Sequence, residues 1–454
     1  MKLLFVAPSA YLLGGVQDWL YDLVLGIRQK GYQAAVAIPD GDVHQADLYK
    51  ARYPQLDALI FSNPTGSEEG RIETLCQVLL DQSVDIVVGV NIVDIYPAVA
   101  RLRRHGRLKG KVVMTIHAIS ADFLEDLRAY NAVIDGVIAT NQLTCGLVHD
   151  LSSALVAKKV YYAPYGVDVP LQKAHRSLAT TRLSSLAKAP DQAPTKQILH
   201  IAWIGRLEQP QKRVHDLPSI LEQLDQSDVE YRLSIVGDGP ERAQLEISLH
   251  PWLQVGKVRL LGCQDKSTLY TEALAGHQAL LITSSWETGP IVAWEAMAAG
   301  MAVVTSRYLG SGREQFLRHD QNSLVFDVGD ARQAADQLAR LRDPEVFEQL
   351  TNQAYADVNQ RYSSQASLEA WIQAFEAIDA QAPRPGTDLP DFSIPASGRL
   401  DRWIGVRRAE RLRRLLGIRF RHSAAGSEWP HTAHGNADNG KLLEKAAILE
   451  QEDA

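Results

Sequence analysis

Short apolar runs alternate with amphipathic stretches twice over, in two series separated by a segment without either, and few folds accommodate that pattern. The first series opens with Leu3 to Ala7. Val16, Trp19, Leu20, Leu23, Val24 and Ile27 follow at i, i+3, i+4, i+7, i+8 and i+11, the spacing of one helix face. Further apolar runs stand at Ala34 to Ile38, Ala58 to Phe61, Ile86 to Val90, Val112 to Ile116 and Val137 to Ala139. The second series has them at Ile198 to Ile204, Arg232 to Val236, Val258 to Leu261, Ala279 to Thr283, Ala302 to Thr305 and Leu324 to Phe326. Strand, helix, strand in succession makes a parallel sheet covered by helices. The chain is therefore expected to be α/β, with two Rossmann-like domains and a ligand site beyond the carboxyl ends of the strands, in the cleft between them.

The boundaries follow from composition. Residues 1–172 form the first expected domain, and 173–196, rich in Ser, Thr, Ala, Gln and Pro without periodicity, a linker. The second domain is expected over 197–357 and a C-terminal helix over 358–380, leaving 381–454 as a proline-bearing linker, a basic segment and a mostly disordered tail. Three scattered cysteines, Cys76, Cys145 and Cys263, fit neither a disulfide framework nor a zinc site and point to a reducing, cytoplasmic setting. Pro8 ends the first apolar run well short of a signal peptide. No run approaches the roughly 18 residues of a spanning helix, so membrane contact is expected to be peripheral. A net charge of -7 argues against a general nucleic-acid binder. It conceals an asymmetry: between Arg399 and Arg421 nine arginines face Asp401 and Glu410 alone. With Leu400, Trp403, Ile404, Leu412, Leu415 and Leu416 at roughly helical spacing, segment 399–421 suits an anionic membrane surface, a solvated helix or a docking arm.

Two stretches carry chemistry. Gly205, Arg206, Leu207 and then Lys212 follow a predicted strand, where a turn presents two cations to one anion. Arginine's planar fork and lysine's point charge suit a diphosphate and the charge on a departing nucleotide; a solvated basic loop is the plainer alternative. In Ser284 to Gly300, Glu287 and Glu295 flank the start of a helix expected over Pro290 to Ala299. Its free N–H groups and dipole attract phosphate oxygens. Glu295, among apolar Trp294, Ala296 and Met297, is placed to accept from ribose hydroxyls while Glu287 reaches a sugar, since buried charges rarely lack partners.

In this order and spacing these elements resemble the large family of retaining glycosyltransferases with the GT-B fold, glycosyltransferase group 1 or family four, in its bacterial polysaccharide or glycolipid type. Gly14 and Gly15 after the first strand, His117 after a central strand, the run Tyr165 to Asp168 and the turn Val236 to Pro240 complete the match, which covers about Lys2 to Ala380. The resemblance implies a hexosyltransferase whose C-terminal helix returns to the first domain. It puts Arg206 and Lys212 on the donor diphosphate, Glu295 on the ribose, Glu287 on the sugar hydroxyls and His117 across the cleft on the sugar. It also puts the backbone of Gly14, Gly15, Gly205, Gly289, Ile291 and Val292 against the donor, and Cys263 and Gln264 by the base. For His117 alone a satisfied strand-end histidine remains the alternative, and Gly237 to Pro240 read as an ordinary turn. One departure stands out: Thr288-Gly289-Pro290 replaces the family's glycine-rich or aromatic residues, and Pro290 has no N–H to donate.

A UDP- or GDP-sugar as donor and a glycan or lipid-linked acceptor are what the resemblance implies. No cofactor or metal is expected: the Asp-x-Asp pair Asp40 and Asp42 reads as a turn, and the basic groups can hold the diphosphate. The competing readings are a non-catalytic homologue that binds nucleotide-sugars and a GT-B-fold epimerase or phosphorylase. A nicotinamide dehydrogenase is weaker, because Pro8 to Gly15 lacks the glycine fingerprint.

Overall fold

The computed structural model describes residues 1–10, 15–150, 160–169, 198–227, 229–264, 268–269, 274, 276–382, 389–392, 394–433 and 438–452. The expected linker 173–196 and Gly14 lie outside them. The chain divides into two units, one of Met1–Thr140, Thr144–Ala163 and Leu368–Glu444, the other of Asn141–Leu143, Pro164–Ser367 and Lys445–Ala454.

The first unit is built on a parallel sheet of β1 (Lys2–Val6), β2 (Gln33–Asp40), β3 (Leu59–Ser62), β4 (Ile86–Gly89), β5 (Lys111–Ile116), β6 (Gly136–Ala139) and β7 (Val160–Tyr162), in the order β3-β2-β1-β4-β5-β6-β7. Leu4 stands between Ala35 of β2 and Val87 of β4. Leu3 to Val6 are wholly buried, as a strand covered by helices on both faces requires. The second unit carries β8 (Leu199–Ile204), β9 (Tyr231–Val236), β10 (Val258–Gly262), β11 (Ala279–Ile282), β12 (Ala302–Ser306) and β13 (Leu324–Phe326), in the order β10-β9-β8-β11-β12-β13. Each sheet grows outward from its first strand and then resumes on that strand's other side. The switch points, β1 beside β4 and β8 beside β11, are where loops diverge and a crevice opens.

The helices used below are α1 (Gly15–Gln29), α2 (Glu68–Gln82), α3 (Ile95–Arg104), α4 (Ile291–Ala298), α5 (Pro344–Arg361), α6 (Ser364–Asp379), α7 (Arg399–Ile404), α8 (Val406–Leu416) and α9 (Asn439–Glu452). The expected boundary between 357 and 358 falls inside α5. That helix runs on because Leu350, Ala354 and Val358 continue its buried stripe. It ends where the Tyr362 ring stacks on Trp294 at 4.5 Å and its hydroxyl donates to Glu314. From Leu368 onward α6 belongs to the first unit, with Trp371 4.7 Å from Trp19 and Phe375 edge-on to Phe5 at 5.9 Å between ring centroids. Gly136 lies under the Ile378 side chain of α6, which a Cβ there would have to displace.

The tail departs most from expectation. Segment 399–421 forms α7 and α8, in keeping with its roughly helical spacing, and the last thirty residues, expected to be mostly disordered, contain the turn Ala425–Glu428 and α9. Within the first unit buried Glu410 and Glu428 fasten the tail to the rest of the unit, while buried Asp401 ties α7 to α8. Glu410 accepts from Thr65 Oγ1 at 2.8 Å and Ser67 Oγ at 2.5 Å, and Asp401 pairs with Arg413 at 2.5 Å. Glu428 takes the backbone N–H groups of Asp42, Val43 and His44, and the His44 ring. Those bonds, with burial opposing them, hold the Glu428 carboxyl below its usual range. Charge-assisted hydrogen bonds are strong enough to order a segment that composition alone leaves loose.

Candidate active site

At the switch point of the second sheet, β8 delivers Gly205 and Arg206 and β11 delivers Ser284 to Glu287, so two loops distant in sequence meet beyond the carboxyl ends of adjacent strands. The Gly205 turn is held by backbone pairing with the turn after β9. Gly205 N–H donates to Val236 O at 3.0 Å, Leu207 N–H to Asp238 O at 2.9 Å and Glu241 N–H to Leu207 O at 3.0 Å. That pairing explains two glycines. A Cβ on Gly239 would lie 2.3 Å from Leu207 O, and one on Gly237, whose φ is +136°, only 1.8 Å from Gly205 O.

Lys212 and Glu287 come together directly. The ammonium donates to Glu287 Oε1 at 2.6 Å, Ser284 Oγ donates to the same oxygen at 2.5 Å, and Gln211 Nε2 approaches Oε2 at 3.5 Å. Glu287 is buried and Lys212 only partly so. The carboxylate thus fixes the ammonium in place, a role additional to the sugar contact expected of it. Trp203 Nε1 donates to Thr283 Oγ1, which donates to the Lys212 carbonyl at 2.7 Å, locking the loop behind the cation. Arg206 differs: its side chain is 64% exposed and its nearest carboxylate, Glu208, is 3.9 Å away. One cation is anchored and the other free to swing, which suits capture of a polyanion.

Pro290 caps α4 and does not form its first turn; it supplies no side-chain acceptor to the helix's first amides. The amides of Ile291 and Val292 open the helix, where anions are favoured. Gly289 turns the chain with φ +90°. Glu295 is buried on α4, four residues after Ile291. Gly300, at φ +80°, ends the helix as expected, with Gly300 N–H on Met297 O and Met301 N–H on Ala296 O. Cys263, exposed, and Gln264, which donates to Leu261 O at 2.8 Å, follow β10 in the same unit.

Sequence reasoning missed two carboxylates beside this site. Glu314 is buried and accepts from Tyr362 and Arg361 at 2.5 and 2.9 Å. Glu450 on α9 accepts from the N–H groups of Gly310, at 2.7 Å, and Gly312, and Gly310 lies against the Glu287 backbone. The i, i+4 pair Leu442 and Ala446, both buried, was the available signal.

His117 and Gly15 belong to the first unit. The His117 ring lies 4.6 Å from Trp19, and Nε2 is 3.0 Å from Thr115 Oγ1, whose own proton goes to Gly89 O. Nε2 therefore carries the proton. Burial pushes the ring down to about 3, so it is neutral near pH 7. Below the ordinary 6.5 the unfolded chain takes up a proton that the folded chain refuses. The stability is complete above pH 6.5 and falls as pH drops toward 3, by about 1.4 kcal/mol per unit. Urea midpoints at pH 7 and 5 should differ less in His117→Gln than in the natural chain; equal differences would remove His117 from the acid response. Asp42, of the Asp40/Asp42 pair, holds Arg419 at 2.8 Å, and Asp40 lies within 3.4 Å of the Ala46 N–H, so both carboxylates serve the fold of the first unit.

Residues 199–343 match the family model described as glycosyl transferases group 1. The lipopolysaccharide core biosynthesis glycosyltransferase LpsD of Rhizobium meliloti is 32% identical over 145 residues, 32% of this chain and 41% of that protein. The N-acetyl-alpha-D-glucosaminyl L-malate synthase of Bacillus anthracis is 29% identical over 187 residues, 40% of this chain and 45% of that protein. Each match thus spans less than half of the relative's length. Among solved structures, HepE of Anabaena in complex with UDP and glucose superposes with a TM-score of 0.66 at 19% identity, covering 83% of this chain and 100% of that one. The fold is GT-B.

Proposed function

We propose that this chain, whose residues 199–343 belong to the group 1 glycosyl transferases, moves a sugar from a nucleotide-diphosphate-sugar to a hydroxyl acceptor in polysaccharide or lipid-linked glycan synthesis. The observation that carries this reading is the anchored Lys212–Glu287 pair beside exposed Arg206 at the β8/β11 switch point. Arg206 and Lys212 take the diphosphate with the Ile291 and Val292 amides, Glu295 accepts from the ribose, Glu287 faces the sugar, and Cys263 and Gln264 lie by the base. A UDP-sugar is the donor of choice because HepE, of the same fold, was solved with UDP.

In the reaction the bond from the sugar's anomeric carbon to the diphosphate breaks and the nucleotide diphosphate leaves with the electron pair. Its oxygen takes the acceptor's proton while the acceptor oxygen bonds the same face of that carbon, giving retention. The cations stabilise the leaving charge and the reaction needs no metal.

Glu295→Ala removes a charge-assisted hydrogen bond, worth about 1.5 to 3 kcal/mol, and should raise the donor KM by about 10- to 150-fold. An unchanged KM would take Glu295 out of the site. Among the described residues no helix is long and apolar enough to cross a membrane. Peripheral contact at the inner face of the cell membrane through 399–421 is part of this reading. It draws on Trp403, 85% exposed, and Leu415, 83% exposed, and predicts vesicle co-sedimentation lost in Trp403→Ala/Leu415→Ala.

A further inference from the structure

The basic segment does more than present charge. Helix α8 turns Ala409, Glu410 and Arg413 inward and directs Arg407, Arg411 and Arg414, at i, i+4 and i+7, into a cavity of about 580 Å³ whose other walls come from the end of β3, α2, α3 and the turns after β3 and α3. Arg101, His105 and Arg107 complete its basic lining. All of it lies in the first unit, on elements that carry none of the donor-site residues.

The charges there do not balance. Arg101 is held bidentate by Glu69 at 2.7 and 2.8 Å. Arg414 pairs with Glu410 at 2.9 Å and with Glu73 at 3.2 Å. Arg407 reaches the already committed Glu69 only at 3.9 Å. Among the described residues Arg107 and Arg411 have no ion pair. Three carboxylates thus face five guanidiniums. A surplus of two matches the charge of a phosphate monoester or of part of a pyrophosphate near neutral pH, and guanidinium forks converging on one space are the arrangement that phosphate oxygens select. The volume admits a diphosphate or a phosphate-bearing headgroup. Leu415 follows Arg411 by one helical turn on the same side of α8 and is exposed.

We propose that this cavity is a second anion site, binding a phosphate monoester or diphosphate group separately from the donor. The source is either a lipid headgroup, with Leu415 and Trp403 in the apolar layer, or a soluble phosphate compound.

The test uses the full chain and Arg107→Gln/Arg411→Gln, which removes the two guanidiniums that hold no carboxylate and so leaves the packing of α8 intact. Arg408→Gln, on α8 but outside the cavity, is the control. Inorganic pyrophosphate binding is followed by calorimetry, and co-sedimentation with phosphatidylcholine vesicles with and without phosphatidic acid. A loss of at least about tenfold in pyrophosphate affinity in the double variant alone, with vesicle binding unaffected, assigns a soluble ligand. A matching loss of phosphatidic acid-dependent sedimentation assigns a lipid. If the double variant keeps both, or if Arg408→Gln loses as much, the cavity is not a site. The proposed donor site, which would also take pyrophosphate, is the same in all three proteins, so the result is read as the difference between them and does not depend on the transferase reading.

Discussion

Lys212→Ala is expected to lower kcat/KM for the nucleotide-sugar by about 100- to 1,000-fold, the cost of removing one preorganised stabiliser of a leaving charge. It should also destabilise the second unit, because Glu287, buried, loses the ammonium 2.6 Å away, and breaking a buried pair from one side costs about 3 to 5 kcal/mol. The two effects separate in a pair of variants. Lys212→Met/Glu287→Gln leaves no unpaired charge and should recover most of the thermal stability while remaining inactive. If the double variant recovers activity along with stability, Lys212 serves only the fold. Arginine at 212 is not expected to substitute, since its planar fork does not fit a place shaped for one ammonium beside Ser284 and Gln211.

Gly237→Ala is expected to be strongly destabilising in the second unit. The new Cβ would lie 1.8 Å from the Gly205 carbonyl oxygen, backbone that cannot swing aside, at a φ of +136°. A forced backbone shift with a strained dihedral should cost about 3 kcal/mol or more, and the part that moves is the turn carrying Arg206. Gly256→Ala is the control: its φ is +69° but a Cβ there meets nothing within 4 Å, so only the left-handed penalty of about 1 to 2 kcal/mol applies. Thermal unfolding should rank the two widely apart. Equal losses would mean that the close approach of the two turns does not persist in solution.

These cases show what a sequence exposes and what it conceals. The central strands were legible because parallel strands buried on both faces read as unbroken apolar runs, as in Leu3 to Val6 and Ala279 to Ile282. β7 was missed because its half-buried Val160, Tyr161 and Tyr162 at a sheet edge carry no such run. Glu287 and Glu295 stood out from their apolar neighbours. The ion pair of Glu287 with Lys212 did not, because it joins residues 75 positions apart. Gly237 read as an ordinary turn glycine, since the carbonyl that forbids a side chain belongs to another loop. The order of the last thirty residues was not legible for the same reason: Glu428 takes the Val43 N–H from 385 positions away. Local pattern gives elements; long-range polar partners come only with the fold.

The proposed donor site is the β8/β11 crevice, holding a nucleotide-sugar diphosphate on protein cations alone. Calorimetric titration of the full chain with UDP, GDP and ADP and their common sugars, each in EDTA and each repeated on Lys212→Met/Glu287→Gln, tests it most directly. Saturable binding of one nucleotide series, UDP first, undiminished by EDTA and lost in the double variant, is the expected result. Binding of none, binding that EDTA abolishes, or binding that survives the loss of Lys212 and Glu287 would contradict it.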